Sequence, residues 1–386
     1  RRHAPVVFDP AERVALYQER AEVLEEQLRD LNGSIEAYNE LLAFDAQHLG
    51  ALGALSRLYE QTEAWDKASQ ATERLLELAT DPTSRVQAQY RLGRLAEAHL
   101  GDVDQAEERY AAALSINSNF QPAMLALAGI YRGRSEWIKA AQYIGRALDQ
   151  TQNVLEKARL SFEGAEIYRT KIGDDDRAAE LYAATLVVDP DHLGAGEPLA
   201  EIYYTRQRWA ELEPVLELLA RKSEKREPRE TAKLFLRLAK ATEALGNAEK
   251  ALKNYKLAYD LDSAQLETMW GMASLQYALN DTVNSFKHYQ AILVHHRDTL
   301  THEQTVDIFC RLGQLKLKEG ERRKALNMFE KALEVDPAHR QTLKAIVEIQ
   351  TAQGDWEAVV TATRAMMGKA TEQEQFDMLQ EIGGIY

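Results

Sequence analysis

Four histidines lie close together in the sequence, and histidine is the side chain most often used to bind metals and move protons. His288 and His295 are seven residues apart, so a helix would place them on one face, with His296 and His302 nearby. A protein zinc site usually combines several ligands in a fixed geometry, and no cysteine accompanies these histidines. We therefore predict that they are solvated surface residues and that the chain binds no metal.

Cys310 is the only cysteine of the chain. A thiol nucleophile needs a base that a third group holds in place, and although His302 and Glu303 precede the cysteine, no motif joins the three. Glycine-rich phosphate loops and the Gly-x-Ser-x-Gly and His-Glu-x-x-His motifs do not occur. The sequence therefore predicts no enzyme activity, no catalytic residue and no cofactor, and Cys310 is expected to be a partly buried structural or groove thiol.

Composition and charge exclude several other classes of protein. The 386 residues are 45% hydrophobic and 28% charged with 9 prolines, which is typical of a folded, helix-rich soluble protein. The formal net charge of −14 repels nucleic acid phosphates and anionic lipid surfaces. No run of about 18 apolar residues could form a membrane-spanning helix. We expect neither a nucleic acid partner nor membrane insertion.

The start of the sequence suggests that it was cut from a longer chain. It opens with Arg1, Arg2 and His3 and lacks the apolar stretch of a signal peptide. The predicted location is the cytoplasm, or the periplasm if a signal sequence precedes this segment.

The same residue pattern returns every 34 to 40 residues. The clearest copy begins near Val306 and contains Leu312-Gly313, a break at Gly320, then Ala325, Phe329, Ala332 and Asp336-Pro337. Units start near residues 15, 49, 86, 121, 159, 193, 232, 266, 306 and 340, and a truncated eleventh unit starts near 376. Because a tandem repeat of this length usually stacks, we predict one array of about ten helix-turn-helix units over residues 15–386, after a lead-in of residues 1–14.

Two sets of positions explain how such a hairpin would pack. A small residue in the first helix, such as Gly93, lets the second helix approach to about 8 to 10 Å. In the second helix, Ala106, Tyr110 and Ala113 are spaced by four and three residues and therefore share one face, which we expect to be buried. Val359 replaces the first alanine in unit ten, so wider spacing is expected there.

The sequence also has a second, longer period that spans two units. Trp65, Trp137 and Trp209 are 72 residues apart, just after the hairpin turn, and Trp356 occupies the same place in unit ten. The units between them have Gly-Asp or Gly-Asn turns. We therefore predict two alternating kinds of hairpin, with the tryptophans packed between hairpins.

These features resemble the tetratricopeptide repeat family from about Ala15 to Tyr386. The resemblance implies an all-α fold, a right-handed α-solenoid superhelix whose first helices line a concave groove that binds proteins or peptides. In members of this family, certain positions of each unit face the concave groove. The residues at those positions in this sequence are the predicted partner-binding residues, which are Arg57, Arg94, Arg132, Tyr204, Lys233, Lys240, Trp270, Tyr277, Gln314 and Lys318. Arginine and aromatic side chains are enriched in protein-binding surfaces. No asparagine stands at these positions, so the Lys–Asn clamp of family members that hold chaperone tails is not expected.

From this groove we predict a protein–protein interaction scaffold with protein or peptide partners. The paired units also resemble long arrays of Gram-negative bacteria, which implies a place in an envelope or motility complex. One alternative is a regulatory arm of a larger enzyme or signalling protein, supported by the abrupt ends. Another is an RNA-binding helical repeat protein, which the negative charge disfavours. The sequence identifies neither the partner nor the oligomeric state.

Overall fold

The structure is a computed structural model that describes residues 9–222, 226–367 and 371–385. Every regular element in these ranges is helical, as the residue pattern predicts. Residues 1–8 of the predicted lead-in, residues 223–225, residues 368–370 and Tyr386 lie outside the described residues. The chain forms two compact units, Arg1–Leu199 and Ala200–Tyr386. A single array over residues 15–386 stays a prediction.

The first unit is built of antiparallel helical pairs. Its helices are α1 (Pro10–Glu22), α2 (Leu31–Phe44), α3 (Leu49–Gln61), α4 (Trp65–Leu78), α5 (Pro82–Leu95), α6 (Val103–Ile116), α7 (Gln121–Gly133), α8 (Trp137–Gln150), α9 (Val154–Ile167), α10 (Asp175–Val188) and the start of α11 (Leu193–Thr205). Each odd-numbered helix from α1 to α9 packs against the next even-numbered helix. We number the hairpins along the chain, so that α1 and α2 form hairpin 1.

The second unit continues the same order of helices. It contains the end of α11, then α12 (Trp209–Arg221), α13 (Pro228–Ala244), α14 (Ala248–Leu261), α15 (Leu266–Ala278), α16 (Thr282–His295), α17 (His302–Lys318), α18 (Arg322–Val335), α19 (Arg340–Gln353), α20 (Trp356–Met367) and α21 (Glu372–Ile385). From α13 to α20, each odd-numbered helix again packs on its successor.

A buried stripe on each second helix holds the hairpins together. The stripe of α6, formed by Ala106, Tyr110 and Ala113, is fully buried, which confirms the predicted face. The Tyr110 ring lies directly on Gly93 of α5, and a Cβ atom added to that glycine would be 2.6 Å from the ring. Phe329 covers Gly313 in the same way. A bulkier residue at either glycine would push the two helices of its hairpin apart.

From hairpin 2 to hairpin 9 the turns alternate between two kinds, as the predicted two-hairpin period requires. The prediction is wrong at the two ends, because hairpin 1 has Arg29 and hairpin 10 has Gly354 in the left-handed region. One kind places a glycine in the left-handed region, with φ between 66° and 81° at Gly101, Gly173, Gly246 and Gly320. The other kind places a residue with a side chain there, with φ between 54° and 61° at Glu63, Ser135, Gln207 and Asn280. The lengths of the first helices alternate as well, since α13 and α17 have 17 residues whereas α15 has 13.

The tryptophans begin second helices, and two of them contact the next hairpin. Trp65 stacks on His99 with ring centroids 3.5 Å apart. Lys171 Nζ lies 5.2 Å from the centroid of the Trp137 ring. Packing between hairpins is therefore confirmed for these two, whereas Trp356 is 49% exposed.

The close contact at Gly93 generates a stability prediction. We expect Gly93→Ala to lower the free energy of unfolding by about 1 to 3 kcal/mol, because the added Cβ would lie 2.6 Å from the buried Tyr110 ring and would force the ring or the helix to shift. Gly145→Ala in α8 is the control, since its Cβ would meet nothing within 4 Å, and alanine is the better helix former by up to about 1 kcal/mol. Urea unfolding followed by circular dichroism measures both. Equal effects of the two substitutions would contradict the packing described here.

Candidate functional site

The first helices of neighbouring hairpins present a shared surface in each unit. We call the surface of α5, α7 and α9 the first-unit groove and that of α13, α15 and α17 the second-unit groove.

The first-unit groove contains a cavity of about 830 Å³. Tyr90 and Arg94 of α5, Leu125 of α7, and Leu155 and Arg159 of α9 line it. Leu155 is 78% exposed, which is unusual for a large apolar side chain. Arg94 forms no ion pair within the part of the chain that the structure describes. A guanidinium without an ion-pair partner therefore lies beside exposed apolar surface, in a cavity that Glu97 and Glu156 also line. This combination suits a carboxylate with an apolar neighbour.

The other two predicted arginines of the first unit are already paired. Arg57 Nη2 lies 2.8 Å from Glu25 Oε1, in the π-helical turn that follows α1. Arg132 of α7 pairs with Glu163 of α9. A ligand carboxylate at either arginine would have to compete with a carboxylate of the protein.

Ion pairs also link the first helices of the second unit. Arg237 Nη1 of α13 lies 2.7 Å from Glu201 Oε2 of α11. Lys240 Nζ lies 2.9 Å from Glu267 Oε2 of α15. Burial lowers the pKa of the Lys240 ammonium, but hydrogen bonds to Glu267 and Tyr204 outweigh it, so the pKa is raised overall. Tyr204 and Lys240, both predicted site residues, are thus brought together.

Tyr277, Gln314 and Lys318 form one cluster in the second-unit groove. The Tyr277 hydroxyl donates to Gln314 Oε1 at 2.5 Å. Lys318 Nζ lies 5.0 Å from the centroid of the Tyr277 ring and donates to Asn280 at 2.7 Å. Lys233 is placed apart from this cluster, since it pairs with Glu230 of its own helix.

Trp270 lines a cavity of about 670 Å³ in the same groove. Its ring stands edge-on to the buried Tyr289 ring, with centroids 6.2 Å apart. His302, Asp307 and His339 complete much of the cavity wall. The aromatic residues predicted from the sequence therefore do lie on the groove surface, but in two separate places.

Sequence analysis missed the arginines that connect neighbouring first helices. Arg311 Nη1 of α17 donates to Ser274 Oγ of α15 at 3.5 Å and to the Tyr289 hydroxyl of α16 at 2.8 Å, and its Nε donates to Asp307 of its own helix at 3.0 Å. Arg91 pairs with Glu60 at 3.0 Å and also donates to Ser56. The signal was present, because these arginines stand two residues before the small residue of their first helix, as in Arg91-Leu92-Gly93, Arg237-Leu238-Ala239 and Arg311-Leu312-Gly313.

Cys310 and His288, which were considered as a nucleophile and a metal ligand, are at least partly buried. Cys310 is 2% exposed, and burial raises the pKa of its thiol, which opposes formation of the nucleophilic thiolate. His288 is half-buried, its Nδ1 lies 2.8 Å from Gln276 Oε1, and burial lowers its pKa. The prediction that all four clustered histidines are solvated is therefore wrong for His288, because it faces α15 from the side of α16.

The described ranges contain neither a cluster of metal ligands nor a membrane-spanning helix. No three histidine, cysteine or acidic side chains meet there in a way that could hold a metal ion. Within the same ranges, no helix is both long and apolar enough to cross a membrane.

Comparison with known proteins identifies the repeat. Residues 51–86, 87–119 and 306–339 each match the tetratricopeptide repeat family. Lipopolysaccharide assembly protein B of Escherichia coli (strain K12) is 25% identical over 186 residues, which are 45% of this chain and 46% of that protein. Protein CTR9 homolog of Arabidopsis thaliana is 25% identical over 293 residues, which are 73% of this chain and 25% of that protein. The chain thus spans about half the length of the E. coli relative.

Solved structures with a related arrangement include YrrB, described as a TPR protein with an unusual peptide-binding site. It is 19% identical, covers 53% of this chain and 98% of its own, and has a TM-score of 0.40. MamA protein is 20% identical, covers 46% of this chain and 92% of its own, and has a TM-score of 0.39.

The burial of Cys310 predicts slow alkylation. At pH 8 we expect iodoacetamide to modify Cys310 of the folded chain at least about tenfold more slowly than in urea, because the thiol is enclosed and its pKa is raised. Mass spectrometry at timed intervals gives both rates. The double variant Cys310→Ala, Lys318→Cys, with an exposed thiol on the same helix, is the control and should react at similar rates folded and unfolded. Equal rates for native and unfolded Cys310 would show that the thiol is accessible.

Proposed function

Since this chain is a tetratricopeptide repeat protein, we propose that it is a protein-interaction scaffold whose first-unit groove holds a peptide segment of its partner. Tetratricopeptide repeats support the general role of a scaffold. The observation that carries the peptide site is Arg94, a cation without a carboxylate partner in the described ranges, beside the exposed Leu155. A scaffold needs no catalytic group, which agrees with the buried state of Cys310.

The groove chemistry favours a segment in which an acidic group is followed or preceded by an apolar side chain. The acidic group would accept forked hydrogen bonds from Arg94, and the apolar one would cover Leu125 and Leu155. Contacts of a ligand carboxylate with Arg57 or Arg132 would add little binding free energy, because the ligand must displace Glu25 or Glu163 from an existing ion pair. Arg94 is therefore the cation expected to contribute most to binding.

The second-unit groove offers a separate set of contacts. Trp270 and Tyr277 provide large aromatic surface with little loss of side-chain entropy. Each cation named in this groove already has a partner within the protein, as Lys240 has Glu267. We infer that this groove contributes apolar contact area and that charge recognition falls mainly to the first unit.

The partner complex is proposed to belong to the bacterial envelope. Support comes from the name of the E. coli relative, Lipopolysaccharide assembly protein B, and from the resemblance to long bacterial arrays. Fractionation of cells that make the full-length protein tests this part of the proposal. Recovery of the protein and its partners away from every envelope fraction would contradict it.

The peptide site is tested by paired variants of the whole chain. We expect Arg94→Ala combined with Leu155→Ala to weaken partner binding by about tenfold or more. Both side chains are exposed, and Arg94 has no ion-pair partner in the described ranges. Partners captured from a lysate on the wild-type chain would be purified and titrated by calorimetry against both forms. Val187→Ala, which removes an 83% exposed side chain from second helix α10, is the matched control. If the double variant stays helical and binds every partner as the wild type does, the first-unit groove is not the site.

A further inference from the structure

Hairpins 9 and 10 enclose a groove that is distinct from the first-helix grooves. Second helices α18 and α20 form its walls, α19 forms its floor, and its volume is about 530 Å³. Leu326, Leu333, Leu343 and Ile346 give it an apolar lining that continues into the core. The carboxylates of Glu330, Asp355 and Glu357 also line it, whereas no lysine or arginine does so.

In two other pairs of neighbouring second helices, the equivalent positions are occupied by an ion pair. Arg109 of α6 donates to Glu73 of α4 at 3.1 Å. Lys250 of α14 lies 2.6 Å from Glu217 of α12. Glu330 of α18 occupies the same position of its helix as Glu73 and Glu217, five residues after the first residue of the buried stripe. It forms no ion pair with any residue that the structure describes.

A backbone carbonyl in the loop before the hairpin accepts a hydrogen bond from an arginine in two other hairpins, but the equivalent carbonyl in hairpin 10 does not. Arg74 of α4 donates to the Ala46 carbonyl at 2.8 Å, in the loop that enters hairpin 2. Arg146 of α8 donates to the Ser118 carbonyl at 3.1 Å, in the loop that enters hairpin 4. Pro337 takes the place of Ala46 and Ser118 in the loop that enters hairpin 10, and it lines the groove. Its carbonyl accepts no hydrogen bond from the described residues.

The missing donors all belong to one helix. By position in the repeat, Ala358 of α20 replaces Lys250, Ala362 replaces Arg109, and Ala365 replaces Arg74 and Arg146. The acceptors Glu330 and Pro337 are thus present without the cations that pair with such groups in other hairpins. The three alanines also leave open the volume that the longer side chains would fill.

We propose that this groove binds an arginine-bearing segment of a separate protein. The guanidinium groups of the segment donate to the Glu330 carboxylate and the Pro337 carbonyl, and its apolar side chains cover Leu326, Leu333 and Ile346. Arginine suits both acceptors better than lysine because its planar group carries five donors. The site lies beyond the proposed first-unit groove and does not depend on it.

A defined peptide tests the site on the whole chain. The probe is a capped, fluorescein-labelled peptide of sequence Leu-Ala-Arg-Leu-Leu-Ala-Arg-Leu, and its counterpart has glutamine in place of both arginines. We expect the arginine peptide to bind the wild type at least about tenfold more tightly than the glutamine peptide, as measured by fluorescence anisotropy. Glu330→Gln should weaken arginine-peptide binding by about tenfold, and Ala362→Arg should also weaken it by filling the groove. Glu334→Gln, an exposed carboxylate of α18 outside the groove, should change nothing.

A second measurement needs no peptide. The thermal midpoint of Ala362→Arg should fall when Glu330→Gln is added, by more than Glu330→Gln lowers that of the wild type, because the new guanidinium can pair with Glu330 as Arg109 pairs with Glu73. Absent binding, equal binding of the two peptides, or arginine-peptide binding that is unchanged by Glu330→Gln would overturn the proposal. Self-association of the wild type that Ala362→Arg abolishes would also overturn it, by assigning the groove to a second copy of this chain. Loss of binding in Arg94→Ala, Leu155→Ala alone would place the peptide in the first-unit groove instead.

Discussion

Close contact between an aromatic ring and a small residue sets the geometry of this protein. Where Tyr110 lies on Gly93 and Phe329 on Gly313, two helices pack at a distance that no larger side chain would permit. That distance leaves the first helices of neighbouring hairpins near enough for ion pairs such as Arg237 with Glu201. The groove surfaces and their cross-links both follow from this internal packing.

The fold could be predicted from the sequence because its signals are local. Stripe spacing and turn residues depend on helix geometry within one hairpin, so the buried face of α6 and the positions of the glycine turns could be predicted from the residue order. The left-handed backbone at Glu63, Ser135, Gln207 and Asn280 was not predicted. Charge pairing in the groove depends on which residues of two different hairpins meet, and one repeat examined alone does not reveal this. Arg311 was therefore overlooked, and Arg57 was not expected to be paired.

The ion pairs change how the groove should be understood as a binding surface. Sequence alone suggested a basic and aromatic stretch, but most of its cations already face a carboxylate, as Lys240 faces Glu267. Paired charges add little affinity for an incoming charge, although they help to fix the positions of the helices that bear them. In the proposed binding role, selectivity falls to the few groups without an internal partner, such as Arg94.

The alternation of turns and tryptophans has a consequence for how such a chain can change in length. Trp65 meets His99 and Trp137 meets Lys171 because each tryptophan hairpin is followed by a hairpin of the other kind. Excision of one hairpin would place two hairpins of like kind side by side and leave an indole without its partner. Between hairpins 2 and 9, excision or duplication of a pair would keep each tryptophan hairpin next to a hairpin of the other kind. In that part of the array, recombination in steps of two hairpins therefore agrees with the structure better than recombination in single steps.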